Sequence, residues 1–303
     1  MAGVEPVPSC MGCRKQKAKT DVYFGHRRVG QREMKVAVTG ANGFLGRYVV
    51  KELERLNISP ILVMRPTTEV PTSLSHHLVV PIDIQSPPDN IYSLMHEPDV
   101  LIHLAWGGLP NYHSSCHLEK ELPAHFRFIE SAVSSGLENV TVSGTCFEYG
   151  MQSGELSPNL IAQPVTAYGE AKASLHLQLN KLQSEFNFSL RWARLFYLCG
   201  FGQGKNAILP TLEAAVKNGD EVFNMSGGEQ LRDSLPVEEA TAGLVSMALE
   251  TGRTEVRNIC SGKPISIRKL VENKISEEGW KIELNLGHYP YPTYEPMEFW
   301  GKL

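Results

Sequence analysis

Hydrophobic positions along this chain recur first at strand spacing and then at helical spacing, and the switch repeats. Val36, Ala37, Val38 and Thr39 form a short, largely β-branched run that predicts a buried strand. The run empties into Gly40, Gly43 and Gly46. Leu45, Val49, Val50, Leu53 and Leu56 then share one apolar stripe, which predicts a helix over residues 43–56. Further strands are predicted at 60–64, 77–83, 99–104 and 139–143, with a long helix over 117–135 that kinks or restarts near Pro123. Another helix is predicted to begin within 164–172. Repeated strand and helix alternation implies a parallel sheet with helices on both faces, so the fold class is α/β, doubly wound. Beyond Gly200 the alternation weakens. A smaller C-terminal lobe is therefore expected over 201–303, interleaved with a core domain over 34–200.

Strand, glycine turn, helix is the order that a Rossmann-type dinucleotide site requires. Glycine lets the backbone turn sharply toward a pyrophosphate, and the unpaired N–H groups at the start of the following helix attract its charge. The spacing Gly40-x-x-Gly43-x-x-Gly46 departs from G-x-G-x-x-G, and ordinary turns also use glycines. Asn42, Phe44 and Leu45 lie in the same loop and are expected beside the cofactor. Arg65 follows the second strand, where a dinucleotide fold meets the adenosine ribose. A carboxylate there would bind a free 2′-hydroxyl, whereas a guanidinium matches a 2′-phosphate. NADP(H) is therefore expected over NAD(H). Asp83, beside Ile84, could accept a bond from the adenine amino group. Leu104 and Ala105, with Gly107 and Gly108 beyond them, would let backbone approach the ribose and phosphates. His103 is expected to be a packed strand residue.

Composition narrows the partners. The chain has 303 residues and a formal net charge of −4, so charge alone does not make it a nucleic-acid binder. No apolar run approaches the ~20 residues that cross a bilayer, and the N-terminus lacks an apolar signal core. No membrane association and a cytoplasmic setting are expected. Six cysteines at 10, 13, 116, 146, 199 and 260 are too scattered for a disulfide scaffold. Residues 1–33 are basic, carry no period and are expected to be a disordered or loosely packed extension, with Met34 a natural start. Cys10 and Cys13 form one C-x-x-C, but His26 is the only nearby third ligand, so no metal site is expected.

Tyr168 and Lys172 stand four apart on a predicted helix and so share one face. A phenol titrates near ~10, and a neighbouring ammonium is expected to lower that value. The pair would make an acid and base for interconverting a carbonyl and an alcohol. Upstream, the loop 144–150 lies at the carboxyl edge of the sheet, where open α/β folds bind ligands, and it carries Thr145 and Cys146.

With these motifs, the sequence resembles the extended short-chain dehydrogenase/reductase family, whose members mostly act on nucleotide sugars. The T-G-x-x-G-x-x-G loop matches Thr39 to Gly46, Y-x-x-x-K matches Tyr168 and Lys172, and a Ser or Thr four residues before Tyr-Gly matches Thr145 before Tyr149 and Gly150. The resemblance implies that Tyr168 transfers a proton, that Lys172 binds the nicotinamide ribose, and that Thr145 holds the substrate oxygen. It covers residues 34–301. Two departures stand out. Glu121 occupies the place where many members carry Asn, which puts a proton-relay water in doubt. The stretch from Arg194 to Gly200 replaces Arg-x-x-Asn-x-Tyr-Gly.

In the C-terminal third, Arg232 begins a segment similar to the family's R-D-x-x-x-V-x-D, and an arginine there could pair with a substrate diphosphate, joined by Lys205 and Asn206. The aromatic, proline-rich stretch 289–296 suits a stiff strap. Loop 144–154 and this tail are most similar to reductases of dTDP-linked 4-keto-6-deoxyhexoses. The expected activity is thus an NADP-dependent interconversion of 4-keto and 4-hydroxy groups on a nucleotide-linked deoxyhexose. A 4-epimerase or dehydratase would use the same residues, and a non-catalytic dinucleotide-binding module would need only the glycine loop. Resemblance to the family also implies a homodimer.

Overall fold

Four strands, VAVT, ILVM, VLIH and NVTVSGT, lie side by side because each is buried on both faces, as strands covered by helices on two sides must be. The computed structural model describes residues 33–303. The expected extension at 1–33, with Cys10, Cys13 and His26, lies outside the described residues except for Glu33. Met34–Leu303 cluster as one unit.

In chain order the strands are β1 (Val36–Thr39), β2 (Ile61–Met64), β3 (Val79–Pro81), β4 (Val100–His103), β5 (Asn139–Thr145), β6 (Gly154–Leu156) and β7 (Ser189–Leu195). Then come β8 (Tyr197–Cys199), β9 (Val222–Asn224), β10 (Leu231–Pro236), β11 (Glu255–Ile259), β12 (Pro264–Ser266), β13 (Glu283–Asn285) and β14 (Phe299–Gly301). The α-helices are α1 (Phe44–Arg55), α2 (Ile91–Leu94), α3 (Leu122–Ser134), α4 (Ala167–Leu182), α5 (Ile208–Asn218), α6 (Val237–Leu249) and α7 (Ile267–Glu278).

Seven parallel strands form the main sheet in the order β11-β7-β5-β4-β1-β2-β3. This is the Rossmann-type, doubly wound α/β sheet. Ala37 lies between Ile61 and Leu101, and Thr39 between Val63 and His103. Alternate residues then point to opposite layers. Ala37, Leu101 and Val140 pack with Phe128 and Ile129 of α3 and Leu175 and Leu179 of α4. Val36, Val38, Val100 and Ile102 pack with Val49 and Leu53 of α1 and Leu244 and Ala248 of α6. Burying a side chain of this size stabilises the fold by about 1.5–3 kcal/mol.

Chain order reverses between β1 and β4, so the loops leaving these strands diverge and open a crevice at the carboxyl edge. The long helix predicted over 117–135 is a π-helical turn, His117–Glu121, that runs into α3. Pro123 sits in the first turn of α3, where its missing N–H costs little. The strand predicted at 77–83 shrinks to β3, with Pro81 at its end, and the one predicted at 139–143 extends through Thr145. Past residue 200, α6 and β11 return to the main layers. By contrast, α5, α7, β9 and β13 surround a separate small cluster of Leu212, Phe223, Met225, Val271 and Ile282. β14 pairs with β6, which brings the C-terminal tail back beside the loop after β5.

Candidate active site

The crevice between β1 and β4 holds a cavity of about 380 Å³. Gly40, Asn42, Gly43, Arg65, Asp83, Ile84, Leu104 and Ala105 line it. Gly40 has φ +70, and a Cβ there would stand 2.8 Å from the Ala105 nitrogen, so only glycine lets the loops after β1 and β4 come this close. A Cβ on Gly46 would collide with the Gly40 carbonyl, so Gly46 acts by seating α1 rather than by lining the cavity. The N-terminus of α1 starts at Gly43 with no side-chain cap and no acidic residue in its first turn, which leaves its N–H groups for an anion. These features fit a dinucleotide: a glycine cradle, an uncapped helix end, and an arginine and a carboxylate on the side farther along the sheet. Phe44 and Leu45 lie in the first turn of α1, outside the lining.

Beneath the cavity runs a chain of hydrogen bonds that the sequence did not reveal. His125 Nε2 lies 3.1 Å from Glu121 Oε2, His103 Nε2 2.7 Å from His125 Nδ1, and Thr39 Oγ1 3.0 Å from His103 Nδ1. Burial holds both histidines below their ordinary pKa, so each carries one ring proton. The carboxylate can only accept. His125 therefore donates through Nε2, His103 donates to His125, and the Thr39 hydroxyl donates to His103. That leaves the Thr39 oxygen to accept from Leu104 N, 3.1 Å, and Ala105 N, 3.2 Å, fixing the turn after β4. Glu121 also accepts from Gly107 N at 2.7 Å and Gln85 Nε2 at 2.9 Å, tying together two walls of the cavity. Burial pushes its carboxyl pKa up, but the bonds from His125 and Gly107 outweigh this and hold it low. His103 is a packed strand residue, as expected, and Glu121 serves as an anchor.

Tyr168, Lys172 and Thr145 come from two elements that meet closely. Thr166 caps α4 by accepting from Gly169 N, 3.1 Å, and a Cβ on Gly169 would stand 2.5 Å from the Phe147 carbonyl, so this glycine lets α4 press against the loop after β5. Tyr168 is 8% exposed, ringed by Trp106, Tyr112, His117 and Phe147 at centroid distances of 5.3–6.1 Å. Lys172 is buried; its Nζ donates to the Ser143 carbonyl at 2.8 Å and lies 4.0 Å from the centre of the Trp106 ring. Burial drives the Lys172 pKa down to about 7, against the pull of Glu148 and Glu121. The expected lowering of the Tyr168 pKa is not what the structure shows. Burial raises it above its ordinary value, with the Thr145 side chain opposing, because desolvation of a phenolate outweighs its polar neighbours. At neutral pH the phenol is therefore a protonated donor.

Glu148 holds Thr145 in place. It is fully buried and accepts from Thr145 N at 2.8 Å, Trp192 Nε1 at 2.9 Å and Arg194 Nε at 2.8 Å. Thr145 Oγ1 in turn accepts from Phe147 N at 3.3 Å, completing a capping box. The pattern Thr-x-x-Glu at 145–148 was a signal available in the sequence. Arg194, noted there only as part of a departure, sits behind the loop with Nη1 donating to the Pro158 carbonyl at 3.0 Å. Cys146 packs with Tyr149, Phe196 and Phe299, and burial pushes its thiol pKa up, so it stays a thiol.

Arg232 has a partner that the sequence reading lacked. It is 3% exposed, donates to Glu295 at 2.8 Å and to the Leu231 carbonyl at 2.8 Å, and lies over the Phe299 ring at 4.6 Å. Glu295 also accepts from the Tyr197 hydroxyl at 2.6 Å. Its neighbour Tyr294 approaches His113 at 5.0 Å, Tyr112 at 6.2 Å and Phe147 at 6.3 Å. The tail thus reaches the aromatic ring around Tyr168. Asn206 and Lys205 are exposed in the connection before α5.

Comparisons with known proteins show the family and the fold. The model of the NAD dependent epimerase/dehydratase family matches residues 36–260. The chain is 30% identical over 276 residues to dTDP-6-deoxy-L-talose 4-dehydrogenase (NAD(+)) of Aggregatibacter actinomycetemcomitans, covering 88% of this chain and 99% of that protein. Among solved structures, UDP-N-acetylglucosamine 4-epimerase from Methanobrevibacter ruminantium M1 matches with a TM-score of 0.78 and 19% identity over 90% of both chains. MoeE5 in complex with UDP-glucuronic acid and NAD matches with a TM-score of 0.76 and 23% identity, over 89% of this chain and 90% of that one. At these identities the two structures establish the fold.

Proposed function

The chain belongs to the NAD dependent epimerase/dehydratase family, an enzyme family of short-chain dehydrogenase/reductase type, and on that premise we propose an NADP-dependent reductase acting at C4 of a nucleotide-linked deoxyhexose. The substrate in this reading is a dTDP-linked 4-keto sugar, in line with the name of the 30% identical relative. A cytoplasmic homodimer belongs to the same proposal. The observation that carries the chemistry is a buried Tyr168 beside Thr145, with Lys172 one helical turn away; none of the three lines the cavity itself, but Trp106, which does, packs against both Tyr168 and Lys172.

Gly40, Asn42, Gly43 and the start of α1 would hold the pyrophosphate, Asp83 and Ile84 would face the adenine, and Leu104 and Ala105 would lie beside the second ribose. A bound nicotinamide dinucleotide supplies the hydride. Tyr168 gives its proton to the oxygen formed on the sugar, and the Thr145 hydroxyl holds that oxygen. Lys172, in its protonated form, would stabilise the phenolate left on Tyr168 one helical turn away, which favours the transfer. Arg65 lines the cavity where an adenosine 2′-phosphate would sit and supports NADP. NAD is the second reading, favoured by the NAD(+) in the relative's name.

The test is to incubate the protein with NADPH and a panel of dTDP- and UDP-linked 4-keto sugars and follow the nicotinamide absorbance. Turnover of dTDP-4-keto-6-deoxyhexoses at least tenfold above the UDP sugars is expected. Equal rates with both would remove the substrate assignment, and turnover with NADH alone would remove the cofactor assignment.

A further inference from the structure

Away from the crevice, the last turn of α1 meets the connection between β2 and β3. Glu54 Oε1 there lies 2.9 Å from His76 Nε2 and 2.9 Å from His77 Nε2. All three atoms fall within 4.8 Å of one another. We propose that Glu54, His76 and His77 form a binding site for a first-row divalent cation, zinc above all.

Two imidazoles and one carboxylate are the donor set that zinc prefers, whereas calcium and magnesium take oxygen. Zinc–ligand bonds of about 2.0–2.2 Å at tetrahedral angles place donors roughly 3.3 Å apart. The two carboxylate–imidazole distances of 2.9 Å therefore need to lengthen by only a few tenths of an ångström, and His76, whose side chain is 61% exposed, is free to adjust its distance to His77. The His77 side chain is 2% exposed, and its Nδ1 lies 3.4 Å from Ser59 Oγ, so its second nitrogen already has the partner that orients a ligating histidine. The carbonyl end of α1 adds a favourable field for a cation. The adjacent Arg55 is paired with Glu52 at 2.7 Å. Spacing hides the cluster in the sequence, since Glu54 precedes the two histidines by 22 and 23 residues. Arg65 and Thr68, which line the dinucleotide cavity, belong to the same connection. A bound cation would clasp the far end of that connection to α1.

The test uses the untagged full-length chain carrying Cys10→Ser and Cys13→Ser, which removes the C-x-x-C as a competitor. ZnCl₂ is titrated by calorimetry and CoCl₂ by visible absorption. One equivalent should bind in the micromolar range or tighter, with d–d bands of nitrogen-ligated cobalt. His76→Ala and Glu54→Gln, both at exposed positions, should each weaken binding at least tenfold and leave NADPH binding unchanged. Zinc at tenfold excess over its Kd should also raise the parent Tm by roughly 3 °C and that of neither variant. Absence of saturable binding, or an affinity that both variants retain, would overturn the site.

Discussion

Around the glycine cradle, the groups that line the cavity include glycine turns, the uncapped start of α1 and an exposed arginine, Arg65, that stand ready for a ligand. On the side of Thr145 and the C-terminal tail, the charged groups are already joined to each other: Glu148 to Arg194, and Arg232 to Glu295. The contrast separates two ways of building a site. In the first, beside the glycine cradle, binding rests on main chain and on the exposed Arg65, so a changed side chain at Arg65 alters affinity and leaves folding intact. The second wall shapes its surface with buried ion pairs, and breaking one exposes a charge to an apolar surrounding.

The largest expected effect comes from that second wall. Glu148→Ala strands Arg194 and the Trp192 N–H, a loss of about 3–5 kcal/mol, or roughly 10 °C in Tm. Adding Arg194→Met should recover part of the loss in the same thermal melt. A drop under about 2 °C for the single variant, below the scale of even a ~1 kcal/mol loss, would erase the contrast.

Next is the cofactor wall. Arg65→Asp should raise the KM for NADPH by about tenfold or more, the scale of a lost charge-assisted bond, while the KM for NADH and the Tm change little. Equal effects on both cofactors would show that Arg65 does not read the 2′ position.

The smallest effect is a pH slope. Lys172 has a folded pKa of about 7, below its unfolded value near 10.5. Between these values the unfolded chain binds the extra proton, so stability should rise with pH from about 7 toward 10. Lys172→Met should flatten that rise, by a few degrees of Tm, in the cofactor-free protein.

The same contrast decides what the sequence made legible. Gly40, Gly43, Gly46, Arg65, Tyr168 and Lys172 act through local spacing on one strand, turn or helix, and periodicity places them. Glu148 and Arg194 are 46 residues apart, and Arg232 and Glu295 are 63 apart; only the folded sheet brings such partners together. His103 and His125 form a chain because β4 and α3 pack against each other, which no spacing rule encodes. The direction of the Tyr168 shift escapes the sequence for a related reason. A motif shows which residues are neighbours, whereas burial depends on the aromatic ring assembled from Trp106, Tyr112, His117 and Phe147.

The central claim is that the Tyr168 phenol passes the proton in a redox step at the sugar carbonyl. The direct measurement is single-turnover oxidation of NADPH by the Tyr168→Phe protein with a dTDP-4-keto-6-deoxyhexose, alongside NADPH binding to the same protein. A rate lower by about 10²–10⁴ is expected, with cofactor affinity close to that of the parent. Turnover by the Tyr168→Phe protein at the parental rate would contradict it.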